Sequence, residues 1–258
     1  ANAAVVVAGD VDVDQVRALA DKYYGSLPTR AVPSRKPREE PEQGGLRRMD
    51  FKAPAEQAYV ALAFKVPGLT PAALADAGPA ADDSLALTVL SAVLSGFDGA
   101  RLPRTLTLDA NPVADSAGAY YSLTARGPQL FTLYGVPAAG KTAAEVEQAL
   151  RAQVARVAQD GVTAAELTRV KNQWVAGEVY KQDSVFNQAR ALGVGWINGY
   201  PLGSDQRLLE RLRTVTAAQV QAVAARYFGD DALTVATLLP QPVDKTRKPR
   251  QPLAGARH

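Results

Sequence analysis

Three segments of this chain begin with the same four-residue signal: Thr142-Ala143-Ala144-Glu145, Thr163-Ala164-Ala165-Glu166 and Thr216-Ala217-Ala218-Gln219. In each, the threonine hydroxyl can accept the third helical amide while the Glu or Gln side chain reaches back to the threonine amide. Three helices therefore start at defined points, and two of them follow one another directly. Strand patterns lie on both sides of this block. Ala58–Val66 alternates, with Val60, Leu62, Phe64 and Val66 on one face, and Asp82–Leu94 reads as a helix with Leu87, Leu90 and Leu94 along its stripe. Two strands, Gly118–Arg126 and Leu130–Val136, are joined by Gly127-Pro128-Gln129, and a last strand, Leu233–Leu239, stops before Pro240. Such an order contains no βαβ alternation. It predicts an α+β fold of two layers, a mainly antiparallel sheet with its helices gathered on one face.

The chain divides into four stretches. Residues 1–28 read as a strand (Ala3–Ala8), a turn at Gly9-Asp10, and a helix (Asp12–Tyr24) stopped by Gly25 and Pro28. Residues 29–50, with Pro33, Pro37, Pro41, Gly44 and Gly45 among Arg and Glu, have the composition of an extended linker. A compact domain spans 51–240, and 241–258 is a basic tail. Val11, Gln15, Val16, Ala18, Ala20, Tyr23 and Gly25 recur 204 positions later as Val215, Gln219, Val220, Ala222, Ala224, Tyr227 and Gly229. This echo has two readings: two similar amphipathic helices, or a duplication whose first copy ends in residues 1–28.

Composition excludes much chemistry. The 258 residues include no cysteine and a single histidine, the terminal His258. Disulfides, thiolate metal sites and cysteine nucleophiles are absent, and an imidazole zinc site or a Ser-His-Asp triad lacks its ligands. The tail carries Lys245, Arg247, Lys248, Arg250 and Arg257 against Asp244, a local +4 in a chain of net +3. The rest of the chain is therefore near neutral, and without interleaved aromatics the tail is a weak footprint for nucleic acid. No apolar stretch approaches the roughly 20 residues of a membrane span. The N-terminus enters Val5-Val6-Val7-Ala8 directly, with no basic leader, which leaves the compartment open. Gly193-Val194-Gly195-Trp196-Ile197-Asn198-Gly199 imitates a nucleotide loop, but it follows a helix and its third glycine is one place late. It reads instead as the end of a long helix. Glu166, Glu178 and Asp183 are spaced for a helix surface, while Trp174, Tyr180 and Phe186 read as core or interdomain packing.

Several of these segments together resemble the pitrilysin/insulinase family of zinc metallopeptidases, which includes mitochondrial processing peptidase and its bacterial relatives. Val6–Asp12 leading to Lys22-Tyr23-Tyr24-Gly25-Ser26-Leu27-Pro28 is similar to the strand and helix that end the family's first domain. Leu90–Leu94 followed by Gly96, Gly99, Arg101 and Leu102 is similar to the helix and Gly-rich turn of its second domain. The closing run is the most specific: Gly199-Tyr200-Pro201, Val215 through Tyr227, and Leu233-Thr234-Val235 ending at Pro240. The resemblance implies a processing-peptidase-like fold built of two homologous halves around a chamber. One half carries zinc on an inverted His-x-x-Glu-His helix. That string is absent here, so the resemblance implies the inactive half, with 1–28 as the last strand and helix of the preceding homologous domain. It implies no cofactor in this chain, zinc in the other half, a homologous zinc-bearing domain or subunit as partner, and a peptide substrate. Alone, the chain is expected to hydrolyse nothing. A bacterial periplasm or cell envelope is the location favoured by the relatives. The alternative is a structural subunit of a peptidase-like complex without activity.

The resemblance further implies an Arg/Tyr pair that grips the substrate backbone, and the hairpin at 118–136 supplies candidates. With a three-residue loop, Ser122 lies opposite Tyr134 and Thr124 opposite Thr132. Tyr120, Ser122, Thr124, Arg126, Thr132 and Tyr134 then share one face, while Ala119, Tyr121, Leu123, Ala125, Phe131 and Leu133 form the core face. Arg126 and Tyr134 are the candidate substrate-binding residues: the guanidinium offers fixed donors to carbonyl oxygens, and the phenol can hydrogen-bond an anionic tetrahedral intermediate. The competing reading is an ordinary solvated sheet face. No catalytic or metal-ligating residue is expected in this chain.

Overall fold

In the computed structural model, residues 3–28, 30–31, 41–76, 78–124 and 129–243 are described. Helix α1 (Val13–Tyr24) comes first, capped by the Asp12 carboxylate, which accepts the Gln15 amide at 2.8 Å. Strands β1 (Arg47–Pro54) and β2 (Tyr59–Val66) follow, then helices α2 (Pro71–Asp76) and α3 (Pro79–Ser95). A five-residue π-turn at Pro103–Thr107 leads to the hairpin of β3 (Ala114–Tyr121) and β4 (Gln129–Pro137). Helices α4 (Ala143–Asp160), α5 (Ala164–Gln182), α6 (Val185–Asn198), α7 (Ser204–Thr214) and α8 (Ala217–Tyr227) precede β5 (Leu233–Gln241).

The five strands make one sheet in the order β1-β5-β2-β4-β3. β1 runs parallel to β5, and the other three pairings are antiparallel. This is the expected α+β architecture, with the helices covering the face that carries Val60, Leu62, Phe64, Phe131, Leu133, Leu233 and Val235, all buried. Gly135 lets α4 approach closely, because a methyl group added there would sit 2.7 Å from Val146 Cγ1. Phe228 closes the core with tilted and edge contacts to Phe64 and Phe131 at centroid distances of 4.8 and 4.9 Å.

All three capping boxes form as their sequences predict. The second does more than cap. Arg101, on the turn after α3, donates to both Glu166 carboxylate oxygens at 2.7 and 2.9 Å and to the Gly161 carbonyl at 3.0 Å. This pair is four-fifths or more buried, and the guanidinium holds the Glu166 carboxyl down to about 2 from its ordinary 4.5. The N-terminal turn of α3 is tied similarly: Arg211 donates to Asp82, and Arg226 and Tyr227 both donate to Asp83.

Three expectations are corrected. β1 begins at Arg47, inside the stretch whose composition reads as linker. It is an edge strand exposed along nearly its whole length, so it shows none of the alternation that marks β2. Ala3–Ala8 is not a strand and has no ladder partner among the described residues. The long helix after Thr163 is two helices, because Asp183 ends α5 and the Ser184 hydroxyl caps α6. Gly193 and Gly195 therefore lie within α6, which ends at Gly199 in the left-handed region at φ 84°. The 204-residue echo is confined to the helices: it aligns α1 with α8, and by the same offset residues 3–8 fall on 207–212 in α7.

Candidate functional site

The face of the sheet turned away from the helices is the candidate site, and the strand register aligns it row by row. One row runs Met49, Ala236, Ala61, Tyr134, Gly118 across all five strands. The next runs Arg47, Thr234, Ala63, Thr132, Tyr120. On the other side of the first, Phe51, Leu238 and Tyr59 lie together. Phe51 is 55% exposed, Tyr59 38% and Tyr120 63%, values far from those of the opposite face, where the large side chains fall near zero.

Tyr134 is half-buried on this face. Its ring stacks on Tyr59 with centroids 6.1 Å apart and an interplanar angle of 22°. It leans over β3 at Gly118, where an added Cβ would lie 2.5 Å from both Tyr134 Cζ and Oη. Gly118 is therefore the floor on which the phenol rests. Partial burial and the neighbouring Tyr134 push the Tyr59 hydroxyl above its ordinary pKa of 10, so Tyr59 stays a neutral donor through the physiological range.

The register differs from the expected one. Gly118, not Ser122, lies opposite Tyr134, and Tyr120, not Thr124, lies opposite Thr132. The physical reason is that 122–124 leave the ladder early. Leu69 donates its amide to the Leu123 carbonyl at 2.9 Å, and Leu69 and Thr124 form a parallel bridge. The strands accordingly end at Tyr121 and Gln129 rather than meeting in a three-residue loop. A slip of four residues preserves parity, so Tyr120, Thr132 and Tyr134 keep the face expected of them. Arg126 lies outside the described residues. Tyr59 and Gly118 are the site residues that sequence reasoning passed over. Both follow from parity, Tyr59 opposing the buried phase of β2 and Gly118 sharing the phase of Tyr120.

Two other groups behave differently from their sequence reading. Tyr180 and Phe186 are 73% and 72% exposed, so neither belongs to this chain's core, whereas Trp174 packs against it. The Gly199-Tyr200-Pro201 run is structural: Tyr200 is buried and donates its hydroxyl to the Leu69 carbonyl. Among the described residues no group of three or more His, Asp or Glu side chains could hold a metal ion. Among the described residues the donor set therefore does not fit zinc, and no step is assigned to a metal there. No helix is long and apolar enough to cross a membrane among the described residues.

The sequence profile described as "Peptidase M16 inactive domain" matches residues 1–174. The chain belongs to this family. It is 28% identical over 222 residues to an uncharacterized zinc protease of Mycobacterium leprae, a match covering 85% of this chain and 47% of that protein. A protease structure from Helicobacter pylori superposes with a TM-score of 0.78 at 22% identity, covering 90% of this chain and 54% of the other. A peptidase M16 inactive domain from Pseudomonas fluorescens superposes with a TM-score of 0.70 at 17% identity, covering 93% and 54%. The chain thus spans about half the length of these relatives. It is a peptidase M16 inactive domain.

Proposed function

We propose that this domain is the substrate-binding half of a zinc endopeptidase, and that a peptide lies along the open sheet face while a homologous zinc-bearing half performs the hydrolysis. The observation that carries this reading is the aromatic, uncovered face centred on the stacked Tyr59 and Tyr134. A sheet face of this breadth with exposed Met49, Phe51 and Tyr120 is a surface that something must meet. Tyr134 offers its phenol to the oxygen that becomes anionic in the tetrahedral intermediate, and the Arg126 guanidinium offers donors to substrate carbonyls.

Residues 1–28 fit the same reading. Val5-Val6-Val7-Ala8 has strand composition and pairs with no strand among the described residues, and α1 buries none of its residues although Val13, Leu19, Tyr23 and Tyr24 are apolar or aromatic. Both features are those of a last strand and helix whose own domain lies in the zinc-bearing half. Metal analysis of the 258-residue chain tests the assignment. It is expected to bind no stoichiometric zinc and to hydrolyse no peptide, and one full equivalent of zinc would contradict the proposal.

A further inference from the structure

Helix α6 buries none of its residues, whereas α4 buries Val146, Leu150, Val154 and Val157. Yet α6 is not polar. Turning by about 100° per residue, Val185, Ala189, Leu192 and Trp196 form one stripe and Phe186 and Gly193 the stripe beside it, an apolar arc roughly 120° wide. The middle of the arc is small, Ala189 and Gly193. Its shoulders are large, with Val185, Leu192 and Trp196 on one side and Phe186 on the other, each about half exposed or more.

Residues 5–9 lie along this arc. A Cβ added at Gly9 would stand 4.0 Å from Val185 Cγ1 in the first turn of α6, and one added at Gly193, about two turns on, 3.5 Å from Val6 Cγ2. Val6 and Ala8 are partly buried, while Val5 and Val7 stay exposed. An apolar run without polar alternation is the pattern of a strand covered on both faces. α6 supplies one cover. Among the described residues, nothing covers Val5 and Val7 and no strand pairs with the segment.

We infer that the apolar arc of α6 is the docking surface for the zinc-bearing half, whose sheet continues from residues 5–8 over Leu192 and Trp196 on one shoulder and Phe186 on the other. Resting on the reading of residues 1–28 as the end of that half, this adds where the two halves meet. Strands pair about 4.8 Å apart, and the shoulders of an arc on a helix about 10 Å across stand on the order of 5 Å from its middle. The strands beside residues 5–8 therefore come to rest on those side chains. Phe186 and Trp196 are the anchors, because buried aromatics carry most of the affinity of such a contact.

Isothermal titration of the zinc-bearing half into the 258-residue chain tests the surface. Phe186→Asp and Trp196→Asp are each expected to weaken binding about thirtyfold, the effect of losing one central aromatic anchor. Leu108→Asp, at an equally exposed leucine outside α6, should leave it unchanged. Both α6 side chains are exposed in the free chain, so thermal unfolding of the variants should match wild type. Trp196 also reports with the arc intact. Trp174 is the other tryptophan, so fluorotryptophan in a Trp174→Phe chain gives a single fluorine resonance, which should shift when the zinc-bearing half is added. Full-strength binding by both α6 variants, or a complex in which that resonance stays put, overturns the docking surface and leaves the two-half reading in place. A dimer of the 258-residue chain alone that Phe186→Asp dissolves gives the arc to a second copy and overturns it too. No binding of the wild-type chain to the zinc-bearing half removes the two-half reading and the docking surface with it.

Discussion

Tyr134→Phe, measured with the zinc-bearing half present, is expected to lower kcat/KM for peptide hydrolysis on the order of a hundredfold, the effect of removing one donor to a developing oxyanion. Folding should be unaffected, because the ring, its stacking on Tyr59 and its seat over Gly118 are all retained. The loss should fall in kcat, since the phenol acts where charge develops. Arg126→Ala should instead raise KM, because a grip on substrate carbonyls acts in the ground state as well. Gly118→Ala supplies an independent control. Its methyl group displaces the Tyr134 ring end by occupying the space 2.5 Å from Cζ and Oη, so it should mimic part of the Tyr134→Phe loss with the hydroxyl still present. Unchanged kcat/KM in Tyr134→Phe refutes the role assigned to the phenol.

The second large effect concerns stability. Glu166→Ala is expected to cost about 3 kcal/mol: about 2 from stranding the largely buried Arg101, and about 1 from the lost cap of α5. Glu166→Gln separates the two contributions. The third capping box already uses Gln219 in this role, so glutamine preserves the cap and removes only the ion pair. Glu166 has a folded pKa of about 2, depressed from 4.5. Its stabilising contribution is therefore fully present above about pH 4.5 and is lost as pH falls toward 2. Thermal unfolding of wild type and Glu166→Gln should differ most near neutral pH and converge on acidification. A constant difference down to pH 2 would exclude the ion pair as the cause.

Much of the fold was legible because its signals are local. The three capping boxes mark α4, α5 and α8 to the residue, and the period-two pattern of 58–66 marks β2. What was not legible depends on partners distant in sequence. β1 is a strand only because β5, almost two hundred residues later, offers it a parallel ladder. The hairpin register was set by Leu69 capturing Leu123 and Thr124, which no turn rule applied to 127–129 could reveal. Tyr120, Thr132 and Tyr134 keep their expected face through parity alone. A slip of one residue would have placed Tyr134 in the core. The row neighbours Ala61, Ala63, Thr234 and Ala236 on the open face were invisible for a different reason: small residues carry no functional signal until the register sets them side by side.

On the function proposed above, this domain binds peptide for a zinc-bearing half that does the cleavage. Peptide hydrolysis by that half, purified and assayed with and without stoichiometric amounts of the 258-residue chain, tests it most directly. Little activity is expected from either part alone, activity on mixing, and loss of that gain with Tyr134→Phe. A zinc-bearing half as active alone as in the mixture, or a mixture indifferent to Tyr134, would contradict it and leave this chain a structural subunit.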